Sequence, residues 1–234
     1  MEARDEVERL AAVYAEYART GAPSGRWAPA NAGNRAIVAE RLRVLRAMLA
    51  AAGLLPLGTR PLLEVGCGAG DVLASLDALG AAREALTGVD LLPDLIAMAR
   101  TRLPGVRFEV ANAERLPFDP GTYELVLAFT VFTSILDDGM ARRVAAEMDR
   151  VLRPGGAVVW YDFRYDNPAN PHVRGVGRDR IRALFPGYGT HLRSVTVLPP
   201  LARRLGRATS WVYPLLARLP PLRTHHLGVL RKPG

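Results

Sequence analysis

The stretch LLEVGCGAGDV, Leu62–Val72, constrains this chain more than any other. A short apolar run enters three glycines, Gly66, Gly68 and Gly70, and a helix-forming run begins at Asp71. Glycine accepts the backbone angles of a tight turn and lets N–H groups come close to a ligand. A buried strand passing through such a turn into a helix is the first unit of an open α/β sheet, whose ligand lies at the carboxyl ends of the strands. Asp90, 20 residues past Gly70, ends the next predicted strand. A carboxylate there can accept hydrogen bonds from both ribose hydroxyls of an adenosine.

The rest of the chain repeats the strand–helix alternation. Strands are predicted at Leu62–Val65, Ala85–Val89, Val106–Val110, Tyr123–Val131, Ala157–Phe163, Leu192–Leu198 and Thr224–Leu230. Helices are predicted at Asp71–Leu79, Pro93–Leu103, Gly139–Leu152 and Arg178–Phe185, preceded by an N-terminal helix and a second helix over roughly Asn34–Ala52. This order predicts a Rossmann-like α/β fold: a seven-stranded, mainly parallel sheet with helices on both faces and a last strand that is antiparallel. Pro199–Arg223, rich in proline, reads as irregular. The organisation expected is one domain. Residues 1–55 form an N-terminal helical cap and 61–163 the cofactor-binding core. Residues 164–234 supply an acceptor-side loop, an insertion over 200–223 and the final strand.

Composition narrows the function classes. Hydrophobic residues are 49% of the 234, enough for a core and too many for a disordered chain. No apolar run reaches the roughly 18 residues of a membrane span. The charged, helical N-terminus lacks a signal core, which predicts a cytoplasmic protein. Cys67 is the single cysteine, so no internal disulfide forms; with four histidines, no structural zinc site is expected. The net charge is +8, but Lys232 is the only lysine and the arginines are spread along the chain, so a nucleic-acid partner is not expected.

Two cofactor classes use a glycine turn followed by an acid. The dinucleotide fingerprint GxGxxG requires glycine at position 71, where this chain has Asp71; its spacing is GxGxG, with Glu64 two residues before the first glycine. A carboxylate at the helix start disfavours a pyrophosphate and suits a cationic sulfonium carrying an ammonium group. Four stretches in order, LLEVGCGAG, LTGVDLLPDLIAMAR, VANAERLPF and RVLRPGG, resemble the class I S-adenosylmethionine-dependent methyltransferases. The resemblance implies S-adenosyl-L-methionine as cofactor and S-adenosyl-L-homocysteine as product. It places Glu64, Gly66, Cys67 and Gly68 at the methionine end, Asp90 on the ribose and Leu91 against adenine. Asn112 and Ala113 would meet the adenine edge, and Phe129 and Thr130 would flank the transferred methyl. Where relatives carry aspartate this chain has Asn112, whose amide oxygen still accepts from an adenine amino group. The Asn-Pro-Pro-Tyr-type signature of DNA amino-methyltransferases is missing.

The acceptor is expected to be small or carrier-bound, a hydroxyl of a sugar or natural product. Trp160–Tyr188 and the ending THHLGVLRKP resemble methyltransferases encoded beside polysaccharide and secondary-metabolite genes. A hydroxyl sheds a proton, so a base is sought. His172 is the first candidate because an ordinary imidazole titrates near neutrality, and Asp162 the second; each has a structural alternative, as a loop residue or a strand-end cap. Arg174 suits an anionic group on the acceptor, and Tyr165 and Trp27 are placed on the acceptor side. His225 and His226, adjacent on a strand, should face opposite ways and are not expected to catalyse. Asp137 and Asp138 read as a helix cap, with no metal. The segment 200–223 reads as a cap packed on its own domain rather than a membrane-facing surface. N- or C-methyl transfer, a NAD-dependent oxidoreductase and a non-catalytic cofactor-binding partner are the competing readings, and the sequence sets no oligomeric state.

Overall fold

Apolar strands alternating with helices build one seven-stranded sheet in the computed structural model, which describes residues 3–19, 28, 30–168 and 170–234. The strands are β1 (Leu62–Val65), β2 (Leu86–Asp90), β3 (Arg107–Val110), β4 (Tyr123–Phe129), β5 (Leu152–Phe163), β6 (Gly189–Val197) and β7 (Arg223–Arg231). Their order is β3-β2-β1-β4-β5-β7-β6, parallel throughout except that β7 runs against both its neighbours. The helices are α1 (Ala3–Arg19), α2 (Ala32–Ala51), α3 (Asp71–Ala78), α4 (Pro93–Arg102), α5 (Asp138–Val151), α6 (Arg178–Leu184), α7 (Pro199–Arg204) and α8 (Thr209–Leu216). Among the described residues no helix is long and apolar enough to cross a membrane.

Alternate residues along each strand feed two cores. Leu62, Leu125, Leu127, Val159 and Leu227 pack beneath α2, α3 and α4 with Leu45, Leu73 and Ile96. Leu63, Val126, Val158, Trp160 and Leu230 face α5 and α6 with Val144, Met148 and Ile181. Trp160 is fully buried, its ring centroid 4.6 Å from Phe132 and 6.1 Å from Phe185.

β6 begins at Gly189 instead of Leu192, and three further differences from the sequence expectation bear on the site. β4 stops at Phe129 instead of Val131, because Thr130 turns the backbone to φ +57°. β5 begins at Leu152, not Ala157: the Pro-Gly-Gly that stops α5 forms an irregular strand start opposite Tyr123, with Gly155 at φ +70°. The third correction is Pro199–Arg223, which is not irregular but holds α7, α8 and two 3-10 turns, Gly206–Ala208 and Pro220–Leu222. Pro199 and Pro200 sit in the first turn of α7, where no N–H is needed, while Pro214 lies inside α8 and Pro220 and Pro221 start the second 3-10 turn.

This insertion has a fixed place. Because β7 is antiparallel to both neighbours, β6 runs the same way as β1–β5, so Val197 lies at the carboxyl edge of the sheet, opposite Arg223. Residues 198–222 therefore leave from the edge where β1 ends in glycines. Ile37 of α2, Val197, Ala202 and Tyr213 form a small third core beneath them. Tyr213 Oη donates to Glu40 Oε2 at 2.7 Å, and Arg203 Nε donates to Asn34 Oδ1 at 3.1 Å.

Gly33 allows α2 to touch α7: a Cβ there would lie 2.2 Å from the backbone oxygen of Ala202. Gly33→Ala should lower the unfolding free energy by about 1–3 kcal/mol through overpacking. Urea unfolding checks this as a lower midpoint at unchanged slope; an unchanged midpoint would mean that α7 shifts aside freely.

Candidate active site

The glycine turn takes its shape from three left-handed residues, Gly66 (φ +69°), Gly68 (φ +52°) and Gly70 (φ +81°). A Cβ on Gly66 would come within 2.7 Å of Val131, whereas one on Gly68 meets nothing within 4 Å, so the turn is open on that side. The turn is tied to β2 at two points. Cys67 N–H donates to Val89 O at 2.9 Å, and Gly68 N–H donates to Asp90 Oδ2 at 2.8 Å. Asp90 Oδ1 accepts the Leu92 N–H at 3.0 Å. Each oxygen thus keeps an acceptor site beyond its amide. Burial raises the Asp90 pKa above the usual carboxylate value, with these amides opposing it. The Cys67 thiol points into the core against Gly88 and Phe108, and burial raises its pKa, so only its backbone belongs to the turn. Asp71 heads α3 and pairs with Arg102.

Beneath the turn the buried Glu64 carboxyl lies within electrostatic reach of Arg41, which is partly buried. Glu64 is 2% exposed and its Oε2 has no hydrogen-bond partner; burial raises its pKa well above the ordinary value, opposed by the charge of Arg41. Arg41, on α2, has a buried Nε with no partner. Its guanidinium sits 5.7 Å from the Phe129 ring centroid and 5.2 Å from that of Tyr161. Tyr161 stacks on His225 with centroids 4.6 Å apart, and burial pulls the His225 pKa down to about 3.

The ends of β3 and β4 complete the edge. Asn112 closes a turn by accepting the Glu114 N–H at 2.9 Å, and Ala111 N–H bonds to Asp90 O at 3.0 Å, which sets Asn112 and Ala113 beside β2. Leu91 is partly buried above the second core. Thr130, β-branched and left-handed, is a strained residue of the kind that collects at functional sites. It is held by its N–H on Tyr161 O at 2.6 Å and its hydroxyl on Phe129 O at 2.7 Å.

The acceptor-side residues are more scattered. Asp162 is fully buried on the α5 face, opposite Glu64. Its Oδ2 accepts Thr133 N–H and its Oδ1 accepts Phe163 N–H, both at 3.2 Å, and burial pushes its pKa up to about 8. It therefore pins the loop after β4 to β5, as a strand-end cap does. The loop after β5 is laced to the same place: Arg174 N–H donates to Thr133 O at 2.8 Å and Thr133 Oγ1 donates to Arg174 O at 2.9 Å. The Arg174 guanidinium engages Asp138, which Arg180 also meets at 2.9 Å, while its Nε is buried without a partner. His172 lies in this loop, partly buried, its N–H on Asn170 Oδ1 at 3.0 Å. Tyr165 is half-exposed, 4.4 Å from the Arg164 guanidinium. Trp27 lies outside the described residues. His225 and His226 do face opposite ways; burial lowers the His226 pKa to about 4. Asp137 caps α5 by accepting Met140 N–H at 2.6 Å.

Sequence reasoning missed Arg41 and the polar face of α1. Glu6 is fully buried: its Oε1 accepts Leu136 N–H at 2.7 Å, and Arg9 grips the same carboxylate. Burial alone would raise its pKa, but Arg9 and the two amides hold it below the ordinary value. Arg9 also donates to Ser134 O at 2.6 Å, Tyr14 Oη lies 3.0 Å from Ser134 Oγ, and Asn170 Nδ2 donates to Tyr17 Oη at 3.0 Å. Thus α1 covers the loops after β4 and β5. The helical period was legible, but the docking partners lie more than 100 residues away in sequence.

A family model described as a methyltransferase domain matches residues 62–156. Demethylmenaquinone methyltransferase of Chlorobaculum tepidum is 35% identical over 95 residues, 41% of this chain and 37% of the relative. Phthiotriol/phenolphthiotriol dimycocerosates methyltransferase of Mycobacterium tuberculosis is 40% identical over 114 residues, 47% of this chain and 40% of the relative. The matches thus span about two-fifths of the length of these curated relatives. The crystal structure of an S-adenosylmethionine-dependent methyltransferase from Mesorhizobium loti superposes with a TM-score of 0.61 at 19% identity, covering 81% of this chain and 96% of that one. That likeness is one of fold.

Asp162 makes stability depend on pH. A carboxyl raised from 3.8 to about 8 keeps its proton in the folded chain where the unfolded chain has lost it, so its contribution to stability falls as pH rises across that window. Asp162→Asn should lose stability less steeply than the parent over this range, by up to ~1.4 kcal/mol per pH unit. Denaturant unfolding at a series of pH values measures the two slopes; equal slopes would mean that Asp162 is ionised in the fold.

Proposed function

We propose that the chain belongs to the class I S-adenosylmethionine-dependent methyltransferases and moves a methyl group from that cofactor to a hydroxyl of a small or carrier-bound acceptor. The observation that carries this reading is the presence of two buried, unpartnered atoms on side chains of opposite sign, Glu64 Oε2 and Arg41 Nε, beside a glycine turn clasped by Asp90. The methionine end of the cofactor carries one ammonium and one carboxylate. A buried charge without a partner is costly, so each favours a ligand group of the other sign. The residues fit the cofactor.

In this reading Asp90 holds the ribose with its two remaining acceptor sites. Leu91, Asn112 and Ala113 take the adenine. Glu64 and the backbone of Gly66, Cys67 and Gly68 take the ammonium end, and Arg41 the carboxylate. Phe129 and Thr130 flank the cation. When bound, S-adenosylmethionine supplies a methyl group on a sulfonium and leaves as S-adenosylhomocysteine. The chain's part is alignment of acceptor with that methyl, which supplies much of the rate in a one-step displacement. Asp162, with both oxygens on backbone amides, acts as a positioning residue for the loop after β4. That leaves His172 as the group we assign to take the hydroxyl proton. Arg174, shared with Asp138, with Tyr165 and Trp27, belongs to the acceptor side. The relatives are named for demethylmenaquinone and for phthiotriol dimycocerosates, which moves our choice of acceptor from a sugar towards a quinone- or lipid-like molecule and keeps carbon methylation as the second reading.

Calorimetric titration with S-adenosylhomocysteine and with NAD tests the reading. The parent should bind the former and not the latter. Asp90→Ala should weaken binding by about 1–3 kcal/mol, and Arg41→Met by a similar amount, with unfolding midpoints taken alongside to confirm folded protein. Binding of NAD alone would overturn the proposal. Full-strength binding by Arg41→Met would remove that residue from it.

A further inference from the structure

The positive charge of this chain is not evenly placed. Asp179 is the last acid: residues 180–234 hold nine arginines and Lys232 with no Asp or Glu, so this part alone carries more than the whole-chain excess of +8. Some of these cations meet acids from elsewhere, as Arg180 does Asp138 and Lys232 does Asp149. Arg204, Arg207 and Arg218 are exposed and form no ion pair among the described residues.

The same segment exposes large apolar side chains. Trp211 is 72% exposed, Leu215 57% and Leu219 50%. They follow one another at four-residue intervals, so on α8 Trp211 and Leu215 share a face. The opposite face is the packed one: Thr209 and Tyr213 are buried, and Tyr213 is hydrogen-bonded to Glu40. The exposure is therefore not that of a helix without a seat. Arg207 lies four residues before Trp211, and Arg218 three after Leu215, so cations flank the apolar row in a run that is helical from Gly206 to Leu216.

We propose that the α7–α8 insertion docks the chain on an anionic lipid bilayer, Trp211, Leu215 and Leu219 entering the interface while Arg204, Arg207 and Arg218 meet lipid phosphates. Tryptophan and leucine on one side of a helix with arginines beside them are the composition of an interfacial segment. The absence of any acid after Asp179 fits a uniformly negative surface better than a protein surface of mixed sign. The insertion leaves the sheet at its carboxyl edge, so the docked face lies at the same edge as the glycine turn. The inference does not depend on methyl transfer.

Vesicle flotation tests it. The protein is mixed at low salt with vesicles of phosphatidylglycerol and phosphatidylcholine, or of phosphatidylcholine alone. The parent should float with the anionic vesicles about tenfold more than with the neutral ones, and salt should weaken this. Trp211→Ser/Leu215→Ser/Leu219→Ser changes only exposed positions and should lose about tenfold of the binding while its unfolding midpoint holds. In a Trp27→Phe variant, Trp211 fluorescence should shift to the blue on anionic vesicles, a change that the fully buried Trp160 cannot give. No flotation of the parent on anionic vesicles would overturn the proposal, as would equal flotation of the triple variant, which would mean adhesion by charge alone. Cofactor binding, read by calorimetry without vesicles, stands or falls separately.

Discussion

The hydrogen bond from Gly68 N–H to the Asp90 carboxylate joins the two halves of the site. It closes the turn after β1 onto the end of β2, and the same carboxylate orders the start of α4 through Leu92 N–H. The turn can lie this close only because β2 carries Gly88, where a Cβ would meet both Cys67 Sγ and Phe108 at 2.8 Å. A cofactor ribose would thus rest on an acceptor already aligned by the backbone, which limits the ordering needed on binding.

Three buried carboxylates show how differently one residue type is used. Glu6 is compensated by Arg9 and two amides, and it fastens α1 over the loop after β4. Asp162 accepts backbone amides, with the charge of Arg180 near it, and holds that same loop to β5. Glu64 is left with an oxygen that nothing meets, across from a guanidinium whose Nε nothing meets. The first two are finished structure. Glu64 is the one whose environment is completed by something else.

Legibility in the sequence followed locality. β1, α3 and α4 were read to within a residue because glycine, aspartate and proline mark their ends chemically. The glycine turn and Asp90 were legible for the same reason; the antiparallel last strand was read from a connection taken as irregular, which in the structure holds α7 and α8. The end of β4 was not, because Thr130 is bent by bonds to Phe129 and Tyr161 that only the folded sheet supplies. Prolines concealed α7 by serving as helix starters. Arg41 looked like one more arginine on an amphipathic helix, and only the packing of α2 on the sheet beside β6 and β7 brings it to Phe129 and Tyr161. Asp162 was legible as a residue of the right edge, but whether it is free or held depends on Thr133, 29 positions earlier.

The position of β7 has a consequence for the order in which the molecule assembles. This strand is the last of the seven in sequence, yet it lies between β5 and β6. While a growing chain lacks it, β6 has no neighbour in the sheet and β5 has an open edge, and the stack of His225 on Tyr161 beneath Arg41 does not exist. The nascent chain can form its β1–β4 half first, because all four of these strands precede β5. Its β5–β6 half waits for the final strand, so the pairing that closes the sheet forms last.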